Sequence, residues 1–356
     1  SRPIESPVYG SRVPGHECLP HPHPPAPRPT VGAVSPTGCG GAKHASRGPA
    51  FAPAGEGSIE SKGAMHWFPL ALICALSLAL ADTASKKWLA DRGADELTLI
   101  RFGLPGLLLL PLLGYLGLPE LPHRFWAWLA AAMPLEIFAM LLYVRAIRDS
   151  PLSETLPYMA FTPVFTVVTG WLLLGETVSR QGLLGILLVV AGAWGLNLDR
   201  AGRHPRTWLA PFIAIVDRRG SRLMLMVAAI YSVTAVLGKG ALGYMPDQAP
   251  VFGALYFALL GGLTLVFFGA REPAMIRRAL LGGPAVWSVA ALMALMVVTH
   301  FLALAQTATA YMIAVKRTSI LFGILLGAWV FRERRLGRHL AAGGLMVAGV
   351  ALILVE

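Results

Sequence analysis

The feature that most constrains this chain is a series of apolar segments, each about 20 residues long, that recurs from residue 67 to its end. A helix of about that length crosses a hydrocarbon core of about 30 Å. Such spans fall at 67–88, 97–118, 125–146, 152–174, 180–198, 223–243, 249–269, 284–305, 310–331 and 337–355. Lipid offers no hydrogen bonds, and a helix satisfies its backbone within the segment. The expected fold is therefore all-α and integral to the membrane, with ten transmembrane helices. Pro105, Pro111, Pro134, Pro157 and Pro163 interrupt several spans. Breakers of this kind survive where neighbours or a watered cavity take up the freed backbone groups.

Charge supports the same class. Only 14% of residues are charged, against about 25% in soluble domains. The net charge of +11 raises the question of nucleic acid. The basic residues cluster between apolar runs, as juxtamembrane anchors do. Zinc-finger spacing and a basic face with interleaved aromatics are both missing, so nucleic acid is not an expected partner. Cys18, Cys39 and Cys74 form no close pair and no metal-ligand spacing. Cys74 lies inside an apolar run and reads as a small packing residue. No metal and no cofactor is expected.

Residues 1–64 are rich in Pro, Gly, Ser and His, show no hydrophobic period and read as disordered. They lack the apolar core of a signal peptide, and the first methionine is Met65. We read them as a non-native extension, with Met65 as the expected start. Residues 199–222 are a basic linker. Their apolar core "TWLAPFIAIV" is too short to span, and with Arg206, Arg218 and Arg219 beside it an interfacial helix is expected.

Shifted by 157 residues, the chain partly matches itself. "FTVVTGWLLLGETVSRQGLLGILLVVAG" (165–192) falls without a gap on "FGILLGAWVFRERRLGRHLAAGGLMVAG" (322–349). Phe165 meets Phe322, Gly170 meets Gly327, Glu176 meets Glu333 and Val190-Ala191-Gly192 meets Val347-Ala348-Gly349. Self-similarity at a fixed period is the signature of duplication. Two units follow, 65–198 and 223–356, with five spans each. An odd number makes the second unit enter the membrane from the opposite face, and inverted repeats in secondary transporters enclose a site near the midplane.

Two five-helix units, each ending in an apolar helix, "GE" or "RE", a polar turn and "VAG", resemble the EamA-type branch of the drug/metabolite transporter superfamily. "SPLSETLPYMAFTPVFTVVTGWLLLGE" (150–176) is similar to that family's fourth helix. The resemblance covers residues 65–356 and implies a ten-helix carrier for small metabolites, often amino acids or related compounds. The second unit departs from the pattern: Ile320 stands where Pro163 registers, and Lys316-Arg317 replaces the usual small or polar residues.

Loops between spans 1–2, 3–4, 5–6, 7–8 and 9–10 carry most of the lysines and arginines, including Lys86, Lys87, Arg277 and Arg278. The positive-inside bias makes that face cytoplasmic and puts both termini outside. The family resemblance implies the reverse.

The charges within spans point to function. A Lys or Arg at the centre of a span costs about 2.5–3.5 kcal/mol, so Lys316 and Arg317 need either the interface or a cavity. Two readings stand: the pair snorkels to the surface, or it lines a central cavity and attracts an anionic substrate. Glu136 lies close to mid-span, directly after Pro134-Leu135, and suits proton coupling or pairing with Lys316 or Arg317. Asp82 is a second coupling candidate. His300 registers with Tyr143 in the other unit, and both join the substrate-binding candidates. Arg101, Glu154 and Gln306 read as interfacial anchors, and Glu176 and Glu333 as caps of the helices that follow them.

The function expected is a multi-pass secondary transporter in the plasma (bacterial inner) membrane. It would move a small polar metabolite of the amino acid or organic anion class by alternating access with proton coupling. Its expected partners are the substrate and the bilayer, with a homodimer as an option. An integral-membrane enzyme would need a carboxylate cluster or a His/Cys constellation, neither of which occurs. A channel or sensor subunit is the other alternative, though no symmetric ring of pore-lining charge is visible.

Overall fold

The computed structural model describes residues 64–149, 156–197, 219–331 and 336–355. The proposed N-terminal extension except for Ala64, most of the basic linker, Glu154 and Glu333 lie outside them. Among the described residues there is no strand. The helices are α1 (Ala64–Trp88), α2 (Ala94–Thr98), α3 (Leu104–Leu116), α4 (His123–Asp149), α5 (Thr162–Leu174), α6 (Arg180–Asn197) and α7 (Arg219–Leu242). They continue as α8 (Ala249–Gly269), α9 (Pro273–Leu280), α10 (Gly283–Leu304), α11 (Thr309–Lys316), α12 (Ser319–Phe331) and α13 (Leu336–Leu354). A π-helical turn, Leu99–Gly103, joins α2 to α3, and a 3₁₀ segment, Leu156–Phe161, leads into α5.

Seven helical stretches among the described residues are long and apolar enough to cross a membrane: His66–Trp88, Asp95–Leu116, His123–Tyr143, Arg219–Leu242, Pro246–Gly269, Gly283–Leu304 and Thr309–Gly327. Three shorter apolar helices, Tyr158–Leu174, Arg180–Gly195 and Ala341–Leu354, accompany them. Length explains the difference from ten uniform spans. At 1.5 Å per residue α5 is only about 20 Å long, and the 3₁₀ segment before it adds about 12 Å.

The structure breaks the expected span 310–331 in two. Helix α11 ends at Lys316, and α12 restarts at Ser319. Under the same 157-residue shift, α5 (Thr162–Leu174) lands on α12 (Ser319–Phe331) at both ends. The 3₁₀ segment that precedes α5 falls where α11 gives out. Both units thus change helix at one register position: a 3₁₀ segment passes into α5 beside Pro163, and α11 gives way to α12 without a proline.

Packing partners follow the same exchange. Helix α4 packs along α7, and α10 packs along α1; α5 also lies on α7, as α12 lies on α1. Helices α6 and α13 pair with each other, as do α3 and α8. Exchanging the units maps each of these contacts onto another or onto itself.

The self-paired seams run backbone against backbone. A Cβ on Gly349 would stand 2.6 Å from the Gly185 carbonyl oxygen and 2.8 Å from the Val189 nitrogen. A Cβ on Gly192 would meet the Ala342 carbonyl at 2.6 Å. Hydrocarbon outside the bundle is as apolar as the seam, so close packing of small residues supplies the attraction. In the other seam, a Cβ on Gly106 would lie 2.3 Å from the Phe257 carbonyl.

This packing sets an expectation for stability in detergent. Gly349→Val should lower stability by about 1–3 kcal/mol through overpacking, read as an earlier thermal transition of the purified protein. Gly344→Val, beside which a Cβ would meet nothing within 4 Å, should be close to neutral. Equal transitions for the two variants would remove the seam from this role.

Candidate substrate site

The two interrupted helices meet at one place. Arg317, in the gap between α11 and α12, donates from Nη2 to the Thr162 hydroxyl at 3.0 Å. Thr162 is the first residue of α5, so the hydrogen bond runs from the break in the second unit to the break in the first. The Arg317 Nε is buried and has no hydrogen-bond partner. Lys316 occupies the last turn of α11, where a cation is favoured by the helix dipole. Arg317 therefore faces the interior, and snorkelling does not describe it.

Glu136 sits in α4, two residues after Pro134. It accepts a hydrogen bond from the Tyr256 hydroxyl of α8 at 3.2 Å, and the Thr234 hydroxyl of α7 also reaches it. Lys316 acts on it through space. A carboxylate fixed by two hydroxyls and within the field of a cation can remain in the interior whether or not it carries a proton.

His300, at the end of α10, lies within the field of both Lys316 and Arg317, and its Nδ1 is buried without a partner. Tyr143, the residue in register with it, feels Asp82, Arg101 and Arg317. Asp82 is ion-paired with Arg101 at 2.6 Å. The six candidates from the sequence thus fall into one electrostatically connected cluster, which reaches from the Asp82–Arg101 pair through Tyr143 to Arg317, Lys316, His300 and Glu136. Lys316, Arg317, Glu136, His300 and Tyr143 are each partly accessible, although the helices around them are packed.

Three expectations need correction. Arg101 is not an interfacial anchor: the π turn Leu99–Gly103 carries it, and it binds Asp82 and approaches the Met293 sulfur at 3.9 Å. Glu176 does not cap the helix that follows it. Its Oε2 accepts from the Thr309 backbone N–H at 2.9 Å and its Oε1 from the Thr309 hydroxyl at 3.0 Å, so it caps α11 in the other unit. The third is the uninterrupted ninth helix. Gln306 is exposed, and its side chain donates to the Leu302 carbonyl of the preceding helix.

Sequence reasoning passed over Tyr231, Thr234, Tyr256 and Thr162. Tyr231 lies within the fields of Glu136, Tyr143, Arg101 and Arg317. It registers with Cys74 under the 157-residue shift, and the Cys74 thiol bonds to Thr299 within the field of Lys316. The signal was the polar run "YSVT" inside α7, which lipid would not tolerate on its own face.

The sequence model of the EamA-like transporter family matches residues 65–198. Among solved structures 28 chains match. One of them, a crystallised protein, is 17% identical with a TM-score of 0.61, over 82% of this chain and 96% of its own length. That likeness shows a shared fold. No curated protein matches the chain. The chain has the helices of a multi-pass membrane protein, and its residues 65–198 match the EamA-like transporter family.

Proposed function

We propose that residues 65–356 form a secondary transporter in the plasma membrane, built from two oppositely inserted five-helix units with ten crossings. The carrier moves a small polar metabolite of the organic anion or amino acid class by alternating access. The observation that carries this reading is the Arg317–Thr162 hydrogen bond, which joins the two helix breaks beside an unpaired Arg317 Nε and an unpaired His300 Nδ1. Buried polar groups without partners are costly. A substrate carboxylate or phosphate would accept from the guanidinium, with Lys316 adding charge and His300 and Tyr143 adding hydrogen bonds.

The exchange symmetry of packing partners supports inverted units, since such units place their shared site between the halves. Glu136 is the proposed proton carrier. It needs no partner cation in direct contact, and Tyr256 and Thr234 hold it at the site. Asp82, tied to Arg101, is the second coupling group. When the proton leaves, the Glu136 charge strengthens its attraction to Lys316 and competes with an anionic substrate for that cation. This links protonation to substrate occupancy.

Transport in proteoliposomes tests the reading. Counterflow with pooled labelled organic acids and amino acids should be saturable. Arg317→Ala should lower anion uptake by about 10–100-fold, the loss of one charge-assisted hydrogen bond of about 1.5–3 kcal/mol. Lys316→Ala should weaken anions more than neutral substrates. Unchanged kinetics in both variants would exclude the pair from binding.

Coupling has its own readout. Glu136→Gln should remove acceleration by an imposed pH gradient while leaving exchange of internal for external substrate intact. A variant that still responds to the gradient would take Glu136 out of the cycle. Inverted insertion predicts that cysteines at Gly175 and Leu281 are labelled from opposite sides of the membrane.

A further inference from the structure

A second polar cluster joins the two units away from the central site. Helix α5 stops at Gly175, whose φ of +68° turns the chain back. The next residue, Glu176, folds over Gly170, where a Cβ would stand 3.0 Å from the carboxylate. Its Oε1 pairs with Lys239 Nζ of α7 at 2.6 Å. The same carboxylate takes the Thr309 N–H and hydroxyl at the start of α11. Lys239 in turn donates to the Thr307 carbonyl. Close by, the Ser179 N–H donates to the Tyr311 hydroxyl at 3.2 Å. One carboxylate of the first unit thus holds three donors of the second, and its side chain is only 14% exposed.

The position that matches Lys239 under the 157-residue shift is Asp82. Its side chain is 54% exposed and is bound by Arg101, a residue of its own unit. Among the described residues the matching positions thus have different partners: Lys239 is fastened across the units, and Asp82 is paired within its own. Helix α11 also ties the two clusters together, because Glu176 grips its N-terminal end and its last residue is Lys316.

We propose that Glu176, Lys239 and Thr309 form a gate that seals one side of the central polar cluster, and that this conformation is the one closed at the gate. The gate rests on the transporter reading for its purpose, but its geometry is independent of any substrate. Opening it separates the 175–179 turn from the ends of α7 and α11. Because α11 carries Lys316, the same movement displaces a cation of the substrate site. Release of the gate and rearrangement of the site are then a single event.

The test uses the full chain in liposomes without substrate, with spin labels on cysteines placed at Thr177 and Gly243 and the native cysteines replaced by serine. The parent should give one short, narrow distance. Lys239→Met and Glu176→Gln should each raise the ratio of long to short distances by about tenfold, the equivalent of one charge-assisted hydrogen bond. Lys239→Arg, which keeps the charge and its donors, should retain the short distance and shows that the site itself folds.

Unchanged distances in both Lys239→Met and Glu176→Gln overturn the gate. So does a long distance in the parent. Transport run on the same preparations separates the two claims. Saturable uptake with unmoved distances leaves a carrier without this gate. Moved distances with no transported compound leave the gate and remove the carrier reading.

Discussion

Everything in this molecule follows from the lack of water around most of its backbone. A helix broken inside hydrocarbon strands its carbonyls and amides, and a cation there costs several kcal/mol when isolated. The chain does both at once, at Lys316-Arg317. Each defect helps to answer the other: the end of α11 offers carbonyl dipoles to Lys316, and Arg317 reaches the start of α5. The central cluster is where two interruptions that would fail in lipid become mutually tolerable, and a packed scaffold of smooth helices surrounds them.

The polar groups of the cluster are arranged with little redundancy. Glu136 takes hydroxyls from α7 and α8, Arg317 a hydroxyl from α5, and Asp82 a guanidinium from the π turn. Those contacts draw on both halves of the chain, so relative movement of the halves must alter the electrostatics of the site. A carrier needs that property, because substrate affinity and conformation have to communicate. The match of residues 65–198 to a transporter family is consistent with such a use.

Much of this could be read from residues alone. Apolar runs of about 20 residues announced the membrane, and the Glu176–Glu333 register led to the expectation of a duplication. Lys316, Arg317 and Glu136 were conspicuous because each is expensive in lipid. What escaped notice was what depends on distant neighbours. "VKRTSI" contains neither Pro nor Gly, so nothing local marks the end of α11. Glu176 reads as a local cap until Thr309, 133 residues away, is brought against it. Arg101 lies in a run that looks like an ordinary span end, and only the π turn, which has no sequence signature here, carries it to Asp82. Tyr231 and Tyr256 look like apolar bulk until their hydroxyls are placed.

The contact between α6 and α13 is its own mate when the units are exchanged. Gly185 faces Gly349, and the matching pair is Ala342 facing Gly192. Small residues thus occupy corresponding places on both helices. On the proposed reading of two inverted units, a single unit already carries each side of this surface and could bind an upside-down copy of itself through it. Fusion of two such copies would need only a tether, which is how a self-complementary helix face turns a separate dimer into one continuous chain.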